Sequence, residues 1–242
     1  MKPCSLHAFQ DHARNCYPNE CCGVLLLVGK SEQYRACENT HAQGKDAFRI
    51  DPQVFATLED EGTIIGICHS HPDASSQPSN HDLAMCEASK LPWHILSWPE
   101  GDLRTITPSG ETPPLLNRPF VHGVWDCYAL VKDWYQLELG IALPEFERAD
   151  GWWEGEHELY LDNYAGAGFS PIPDSDLQSG ALQVGDVILM QIQAPRVNHA
   201  AVYIGNGMIQ HHLYGRLSRR DVYGGYWQRN TRLIVRRDGE SQ

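Results

Sequence analysis

The chain lacks the features that would place it in a membrane or outside the cell. No stretch approaches the roughly 20 consecutive apolar residues that a membrane-spanning helix needs, and the first twenty residues contain no apolar core of a secretory signal. The eight cysteines do not have the spacing of a disulfide framework, because the adjacent pair Cys21 and Cys22 is poorly placed for bridges. We therefore expect free thiols and a reducing, cytosolic origin.

Positive charge is also scarce. The 242 residues carry 19 lysines and arginines against 31 aspartates and glutamates, a formal net charge of −12. A general nucleic-acid-binding protein would present a basic surface, so this balance argues against that class. We expect no nucleic acid among the partners and no membrane span.

A proline-rich stretch without hydrophobic periodicity divides the chain. It covers residues 106–117 and is typical of a linker. The parts on either side are each long enough for a core of their own. We therefore predict a first domain over residues 1–105 and a second over residues 118–242.

Apolar spacing in the first domain predicts alternating helices and short buried strands. A helix that includes Leu6 and Cys16 ends before Pro18, and Ser79 is the predicted N-cap of a second helix that runs to Ser89. Predicted strands lie at 24–28, 63–68 and 94–98. This order predicts an α/β or α+β unit.

The second domain begins with a predicted helix and continues with antiparallel strands. The helix covers residues 127–139, and Asn206-Gly207 is a tight-turn signal between two of the strands. The predicted strands lie at 187–193, 200–205 and 208–212. Residues 142–172 have no pattern that assigns them. The fold class predicted for the whole chain is α+β, in two domains.

Residues in the first domain have the spacing of a zinc site. His69 and His71 lie two positions apart at the end of a strand, so their rings project from the same face. Asp82, in the first turn of the next helix, supplies a third ligand and leaves a fourth position for water, as in catalytic zinc sites. Glu20 is the candidate that takes and passes on a proton. Ser79 is placed to hydrogen-bond the oxyanion that forms on an attacked carbonyl.

A simpler interpretation is that two histidines end a strand and that a serine and an aspartate cap a helix. For His-x-His alone, that interpretation is the better one. The longer pattern of His-x-His, seven residues, Ser, two residues and Asp favours the metal site. Three neighbouring side chains could compete for the ion: His81, Cys68 and Cys86.

These residues resemble those of the JAMM/MPN metallopeptidases. The resemblance covers the first domain and rests on ECCG at 20–23, FRID at 48–51 and HSHPDASSQPSNHD at 69–82. It implies zinc at His69, His71 and Asp82, with Glu20 as general base and Ser79 as oxyanion stabiliser. Members of that family hydrolyse peptide or isopeptide bonds, including those of ubiquitin-like tags. The scissile bond for this chain stays open.

A second constellation surrounds Cys127. It follows Asp126 at the start of the predicted helix, where the helix dipole and free N–H groups are expected to lower the thiol pKa below about 8.5. His199 and His211 could lie side by side on paired strands, with His211 orienting His199 as the third member of a triad. His212 is an alternative third member, although it should face the other side of its strand. For an arbitrary cysteine–histidine pair, a buried structural cysteine and ordinary strand histidines are the better interpretation.

The sequence around these residues resembles the NlpC family of papain-like cysteine peptidases. The matching blocks are DCYALVKDW, LQVGDVILM and NHAAVYIGNGMIQHH. The resemblance implies a papain-like α+β fold with Cys127 as nucleophile, His199 as base and His211 as the third polar residue. It also implies cleavage of peptidoglycan stem peptides next to D-glutamyl and diaminopimelate residues. Tyr128 stands where many members carry a serine, and no side chain is identified for the oxyanion hole.

A JAMM domain followed by an NlpC domain resembles the arrangement of tail assembly proteins of lambda-like tailed phages. This resemblance implies expression in the host cytoplasm, phage tail tip proteins as partners, and carriage in the virion tail tip as an open possibility. The first hypothesis is a bifunctional peptidase that cleaves peptidoglycan peptides with its cysteine half and a peptide or isopeptide bond with its zinc half.

Two other hypotheses compete with the bifunctional peptidase. One is a non-catalytic assembly factor or chaperone that uses its peptidase folds as docking surfaces. The acidic, tryptophan-bearing segment 145–162 is a candidate contact surface, although a solvated insertion is the better interpretation of it. The other is a cytosolic deconjugase for a ubiquitin-like or sulfur-carrier tag, which would leave the second domain unexplained.

Overall fold

A computed structural model describes residues 1–149, 151–173 and 182–239 of the chain. The chain forms two compact units, Met1–Gly110 and Glu111–Gln242, and the division falls inside the stretch predicted as a linker. Each unit contains helices and one β-sheet, which confirms the predicted α+β class. Among the described residues, no helix has the length and apolarity needed to cross a membrane.

The first unit is built on a five-stranded sheet. Its helices are α1 (Pro3–Cys16), α2 (Pro52–Glu61) and α3 (Asn80–Ser89). Its strands are β1 (Cys22–Val28), β2 (Ser31–Cys37), β3 (Thr63–Pro72), β4 (Trp93–Trp98) and β5 (Leu103–Ile106). The strand order is β2-β1-β3-β4-β5, with β3 and β4 parallel and the other neighbours antiparallel.

Helix α1 covers one apolar side of this sheet. Phe9 and Ala13, one helical turn apart, are buried against Leu25 of β1 and Leu96 of β4. Gly23 lets β1 approach β2 closely, because a Cβ at this position would clash with the neighbouring strand. These contacts hold β1 in the sheet, where it pairs with β3. The end of β3 carries the predicted histidine pair.

The second unit is built on a six-stranded antiparallel sheet. Its helices are α4 (Cys127–Trp134, continued by a π-helical turn over Tyr135–Leu139), the 3-10 turn Trp152–Glu154, α5 (Leu159–Asn163) and α6 (Tyr226–Asn230). Its strands are β6 (Phe169–Pro171), β7 (Val187–Met190), β8 (His199–Tyr203), β9 (Met208–His211), β10 (Arg219–Val222) and β11 (Thr231–Arg237). The strand order is β10-β9-β8-β7-β11-β6.

Helix α4 lies directly against β8. Val131 and Trp134 of the helix share a buried core with Ala200 of the strand. Burial of this apolar face is the main force that holds the two elements together. The packing brings Cys127, at the start of α4, to the start of β8, where the thiol meets the backbone N–H of Ala200, the residue after His199.

Candidate functional site

The three predicted metal ligands lie together where β3 ends and α3 begins. Nε2 of His69 lies 3.0 Å from Nε2 of His71 and 3.2 Å from Oδ1 of Asp82. Nε2 of His71 lies 3.5 Å from Oδ2 of Asp82. Within the described ranges, this is the single group of three such side chains whose ligand atoms lie within 4.8 Å of one another. The competing side chains are not part of it: His81, Cys68 and Cys86.

The hydrogen bonds around this group leave lone pairs that converge on one point. Nδ1 of His71 lies 2.8 Å from the carbonyl oxygen of Ser75, which can only accept, so neutral His71 carries its proton on Nδ1 and a lone pair on Nε2. Without a metal, a second proton on Nε2 of His71 can be shared with the carboxylate of Asp82. A divalent cation held by two imidazole nitrogens and one carboxylate oxygen would take the place of such protons, so these residues fit zinc.

Packing and capping fix the ligands in place. The ring of His69 stacks on Phe48 with centroids 4.8 Å apart and meets Trp93 edge-on at 5.5 Å. The backbone N–H of Ser79 donates to Oδ2 of Asp82 over 2.7 Å, and the backbone N–H of Asp82 donates to Oγ of Ser79 over 3.1 Å. The Ser79 hydroxyl accepts this bond and keeps its own proton for donation.

The charges of the ligand set favour cation binding. Burial alone would raise the pKa of Asp82, but hydrogen bonds from His69 and His71 lower it far below its usual value. Burial lowers the pKa of His69, although Asp82 opposes the shift. Burial also disfavours charged His71, but Asp82 and the Ser75 carbonyl outweigh it and raise the pKa of His71. The group therefore combines an ionised carboxylate with imidazoles that a metal can compete for.

Glu20 lies just before β1 and is 7% exposed. Its backbone N–H donates to the carbonyl oxygen of Gly44 over 2.7 Å, and its carbonyl oxygen accepts from Nδ2 of Asn39 over 3.1 Å. Burial raises the pKa of Glu20 to about 8, while His71 opposes the shift and Asp82 adds to it. A carboxyl group that titrates near neutral pH can both take up and release a proton.

In protein freed of divalent metal, we expect Glu20→Gln to stabilise the first unit near pH 7.5. Because the folded pKa of about 8 exceeds the usual 4.5, the contribution of Glu20 to stability is complete below the usual pKa and is lost as pH rises through 8. Glutamine keeps the neutral shape and removes that loss, a gain of roughly 1–3 kcal/mol. Hydrogen exchange of β1 peptides in the full chain, compared at about pH 5 and pH 7.5, measures the change.

The exposed Glu38→Gln is the matched control for this substitution, since it removes a carboxylate of the same unit outside the site. It should leave protection of β1 unchanged at both pH values. Weaker protection of β1 in Glu20→Gln than in the wild type near pH 7.5 would contradict the expectation.

A buried ion pair fixes the start of α4, where Cys127 is the first helical residue. Asp126 caps the helix, and its Oδ1 accepts from the backbone N–H of Ala129 over 2.9 Å. Nε of Arg148 lies 2.6 Å from Oδ2 of Asp126, and the same guanidinium donates to the carbonyl oxygen of Gly123 over 2.9 Å. The position of the thiol is therefore set by a cap and a buried cation together.

The Cys127 thiol is 7% exposed, and its Sγ lies 3.0 Å from Oη of Tyr160. Burial raises the pKa of Cys127 to about 11, the charge of Asp126 adds to the shift, and Tyr160, the Ala200 N–H and Arg148 oppose it. The predicted lowering of the thiol pKa is therefore wrong, because lost solvation and a neighbouring carboxylate outweigh the helix N-terminus. Cys127 is protonated at neutral pH and needs a base.

The structure brings the two predicted histidines together on β8 and β9. Nε2 of His199 lies 3.1 Å from Nδ1 of His211. Burial, reinforced by His211 and His212, lowers the pKa of His199 well below 6.5, so His199 is neutral and able to accept a proton. His212, the alternative third member, lies 3.1 Å from the carbonyl oxygen of Arg216 instead.

Sequence reasoning missed two side chains at this site. Tyr160, which contacts the thiol, lies on α5 within the region that had no assignable pattern. Asp221 lies on the edge strand β10, and its Oδ2 is 3.0 Å from Nε2 of His211. Neither residue belongs to a local motif with Cys127, and only the tertiary fold brings them to it.

Cys127 and His199 both line an open cavity of about 530 Å³. That volume is in the range of pockets that hold small-molecule or short peptide ligands. Aromatic rings form much of its wall: Phe120, Trp152, Trp153, Tyr160, Tyr214 and Tyr226. Among its charged lining residues, Arg148 and Asp126 are paired with each other, and Arg216 adds a positive charge.

Comparisons with known proteins divide the chain as the structure does. Residues 5–107 match the prokaryotic homologs of the JAB domain, and residues 117–236 match the NlpC/P60 family. Tail tip assembly protein K of Escherichia phage N15 is 45% identical over 238 residues, which are 98% of this chain and 95% of that protein. Tail tip assembly protein K of Escherichia phage lambda is 37% identical over 187 residues, 77% of this chain and 88% of that protein.

Among solved structures, a JAB1/MPN domain protein from Archaeoglobus fulgidus is similar to the chain. It is 19% identical, with a TM-score of 0.30, and the match covers 45% of this chain and 87% of that one. The family matches confirm the predicted order, a JAB/MPN-type unit followed by an NlpC-type unit.

Proposed function

This chain belongs to the family of tail tip assembly protein K of lambda-like phages, and from that premise we propose that it is a two-site peptidase that takes part in tail tip assembly. Its partners are then phage tail tip proteins, which it meets in the host cytoplasm during assembly. The cysteine half cleaves peptidoglycan stem peptides, and the zinc half cleaves a peptide or isopeptide bond.

One observation supports the cysteine peptidase above all others. Cys127 and His199 line the same cavity, and His199 is in turn hydrogen-bonded to His211. As Sγ attacks the substrate carbonyl carbon, neutral His199 takes the thiol proton and later gives it to the leaving amine. The acyl group stays on Cys127 as a thioester, which water then hydrolyses. A protonated resting thiol requires such a base.

Tyr160 is the side chain that we assign to the oxyanion of this reaction. Its hydroxyl lies 3.0 Å from Sγ of Cys127, next to the place where the tetrahedral intermediate forms. Burial and the adjacent Cys127 raise the pKa of Tyr160 well above its usual value, so the O–H remains a donor. This supplies the donor that the sequence left unidentified.

The cavity wall supports a substrate rich in carboxylates. Arg216 and Arg148 line it, although Arg148 is already paired with Asp126. Stem peptides with D-glutamyl and diaminopimelate residues carry such carboxylates, and the aromatic wall can pack their aliphatic parts. We therefore propose the D-glutamyl–diaminopimelate bond as the scissile bond.

Digestion of purified peptidoglycan tests the cysteine half. Reduced wild-type protein should release new peptide fragments detectable by mass spectrometry, and Cys127→Ala should release none. Glu20→Gln, altered in the other unit, is the matched control and should give the wild-type fragments. A fragment pattern that survives Cys127→Ala, or no fragments from any reduced preparation, would overturn this proposal.

The zinc half rests on the converging donor set of His69, His71 and Asp82. When zinc is bound there, it lowers the pKa of a coordinated water to about 7 and supplies hydroxide near neutral pH. Glu20, with a pKa of about 8, holds or releases the transferred proton. The O–H of Ser79 is available to the oxyanion of the attacked carbonyl. We propose a peptide or isopeptide bond as the target of this chemistry.

One observation favours a second function, that of a non-catalytic assembly factor. The buried Cys127 thiol has a pKa of about 11, which suits a structural cysteine as well as a base-assisted nucleophile. Phage complementation separates the two functions. Infectious tails from both Cys127→Ala and His69→Ala phages would mean that the folded units suffice as docking surfaces. Loss of infectivity in either variant supports the peptidase.

A further inference from the structure

Behind the two histidines of the cysteine site lies a third group in line with them. Oδ2 of Asp221, on the edge strand β10, lies 3.0 Å from Nε2 of His211. Nδ1 of His211 lies 3.1 Å from Nε2 of His199. We propose that Asp221 is a positioning residue that selects the tautomer of His199 through His211, an inference that rests on the proposed cysteine peptidase.

The proton positions along this line follow from which atoms can donate. A carboxylate only accepts, so the proton shared with Asp221 is on Nε2 of His211. Neutral His211 then has a lone pair on Nδ1, which accepts the proton on Nε2 of His199. His199 is also neutral, so its own Nδ1 carries a lone pair. That nitrogen is the one left to take the proton of Cys127.

Without Asp221, the opposite arrangement becomes equally good for the histidine pair. His211 could carry its proton on Nδ1 and donate it to Nε2 of His199. His199 would then hold its own proton on Nδ1 and could not accept another from Cys127 there. The carboxylate of Asp221 therefore decides whether His199 can act as a base, although the rings of His211 and His199 lie between Asp221 and the thiol.

Arg219 and Trp227 surround Asp221 and His211. Both Nε and Nη2 of Arg219 contact the same Oδ2, at 3.0 and 2.8 Å, and add positive charge beside it. The Trp227 ring packs edge-on against His211 with centroids 4.4 Å apart, and His211 is 1% exposed. The other titratable group that acts on His199 is His212, whose ring contacts a backbone carbonyl. Neither Trp227 nor His212 supplies an alternative acceptor for Nε2 of His211.

Three substitutions in the full chain separate positioning from simple support of the edge strand. Asp221→Ala removes the acceptor, Asp221→Asn replaces it by an amide that can donate as well as accept, and Arg219→Gln removes the ion pair but leaves Asp221 on His211. Two measurements are made on each: the tautomers of His199 and His211 by 1H–15N NMR near pH 7.5, assigned with His199→Gln, and kcat and KM for stem-peptide cleavage.

Positioning predicts that the wild type and Arg219→Gln both keep the proton of His199 on Nε2. Asp221→Ala should shift it to Nδ1 and lower kcat by up to about 10⁴-fold at unchanged KM, and Asp221→Asn, whose amide can donate to Nε2 of His211 as well as accept from it, should not restore either. Equal losses in Asp221→Ala and Arg219→Gln, or wild-type tautomers in Asp221→Ala, would overturn the proposal. If the wild type cleaves no stem peptide, the proposed function fails, and the NMR measurement still decides the role of Asp221.

Discussion

Replacing His199 by alanine is expected to lower kcat for stem-peptide cleavage by about 10⁶-fold, and replacing Cys127 as well should lower it no further. With a thiol pKa of about 11, the free thiolate is negligible at neutral pH, so attack depends on proton transfer to His199. A nucleophile and a base that act as one unit give strongly non-additive losses. The kcat values of both single variants and the double variant, measured on one defined muropeptide by mass spectrometry, test this.

His212→Ala is the control for the double-variant experiment, since His212 is buried next to the site but contacts the carbonyl oxygen of Arg216 rather than His199. It should retain most of the wild-type kcat. If the fold-losses in kcat of the two single variants multiply in the double variant, Cys127 and His199 act independently. The expectation that they act as one unit would then be wrong. A loss of kcat in His212→Ala as large as that in His199→Ala would contradict the assignment of His199 as the base.

The grouping of the candidate metal ligands could be predicted because they belong to one strand–loop–helix segment. The spacing of His69 and His71 on a strand puts both rings on one face, and the cap formed by Ser79 turns Asp82 back toward them. Each step uses a local rule that a single sequence obeys. Glu20 precedes this segment by many residues, but the antiparallel pairing of β1 with β3 brings it to the same end of the sheet.

The cysteine site could be predicted only in part, because its members come from distant elements. A local rule about helix N-termini gave the wrong sign for the pKa of Cys127, since it could not include the burial that α4 gains against β8. Tyr160 and Asp221 become neighbours of the site only when the chain folds. A sequence motif can identify a candidate nucleophile, but its protonation state depends on the groups that surround it in the folded core.

In the proposed two-site peptidase, both units would transfer protons, but with opposite charge arrangements. In the first unit, burial raises the pKa of a carboxyl group, Glu20, toward neutrality beside an anionic ligand set. In the second, burial keeps His199 neutral and Cys127 protonated, so the proton must move between them during the reaction. Desolvation is the largest cause in both units, and in both it leaves a base able to act near neutral pH.

The second large effect is expected at the metal ligands. After removal of adventitious metal and reconstitution with zinc, the wild-type chain should hold about one zinc ion, and His69→Ala should hold almost none. His69 contributes a nitrogen that lies within 3.2 Å of both other ligand groups, and the ring is 1% exposed, so no solvent-exposed group can replace it. At a zinc concentration a hundred times the Kd, binding adds about 2.7 kcal/mol to stability, and the variant should lose that increment.

The control for this loss is His81→Ala, because His81 is an exposed histidine on the same helix as Asp82 but outside the ligand group. It should keep one zinc ion and the full increment of stability. Zinc content is measured by elemental analysis, and stability by chemical unfolding with and without zinc. A His69→Ala protein that still binds one zinc ion would show that the ion sits elsewhere, for instance on cysteines. A His81→Ala protein without zinc would show that the ligand group is wrongly assigned.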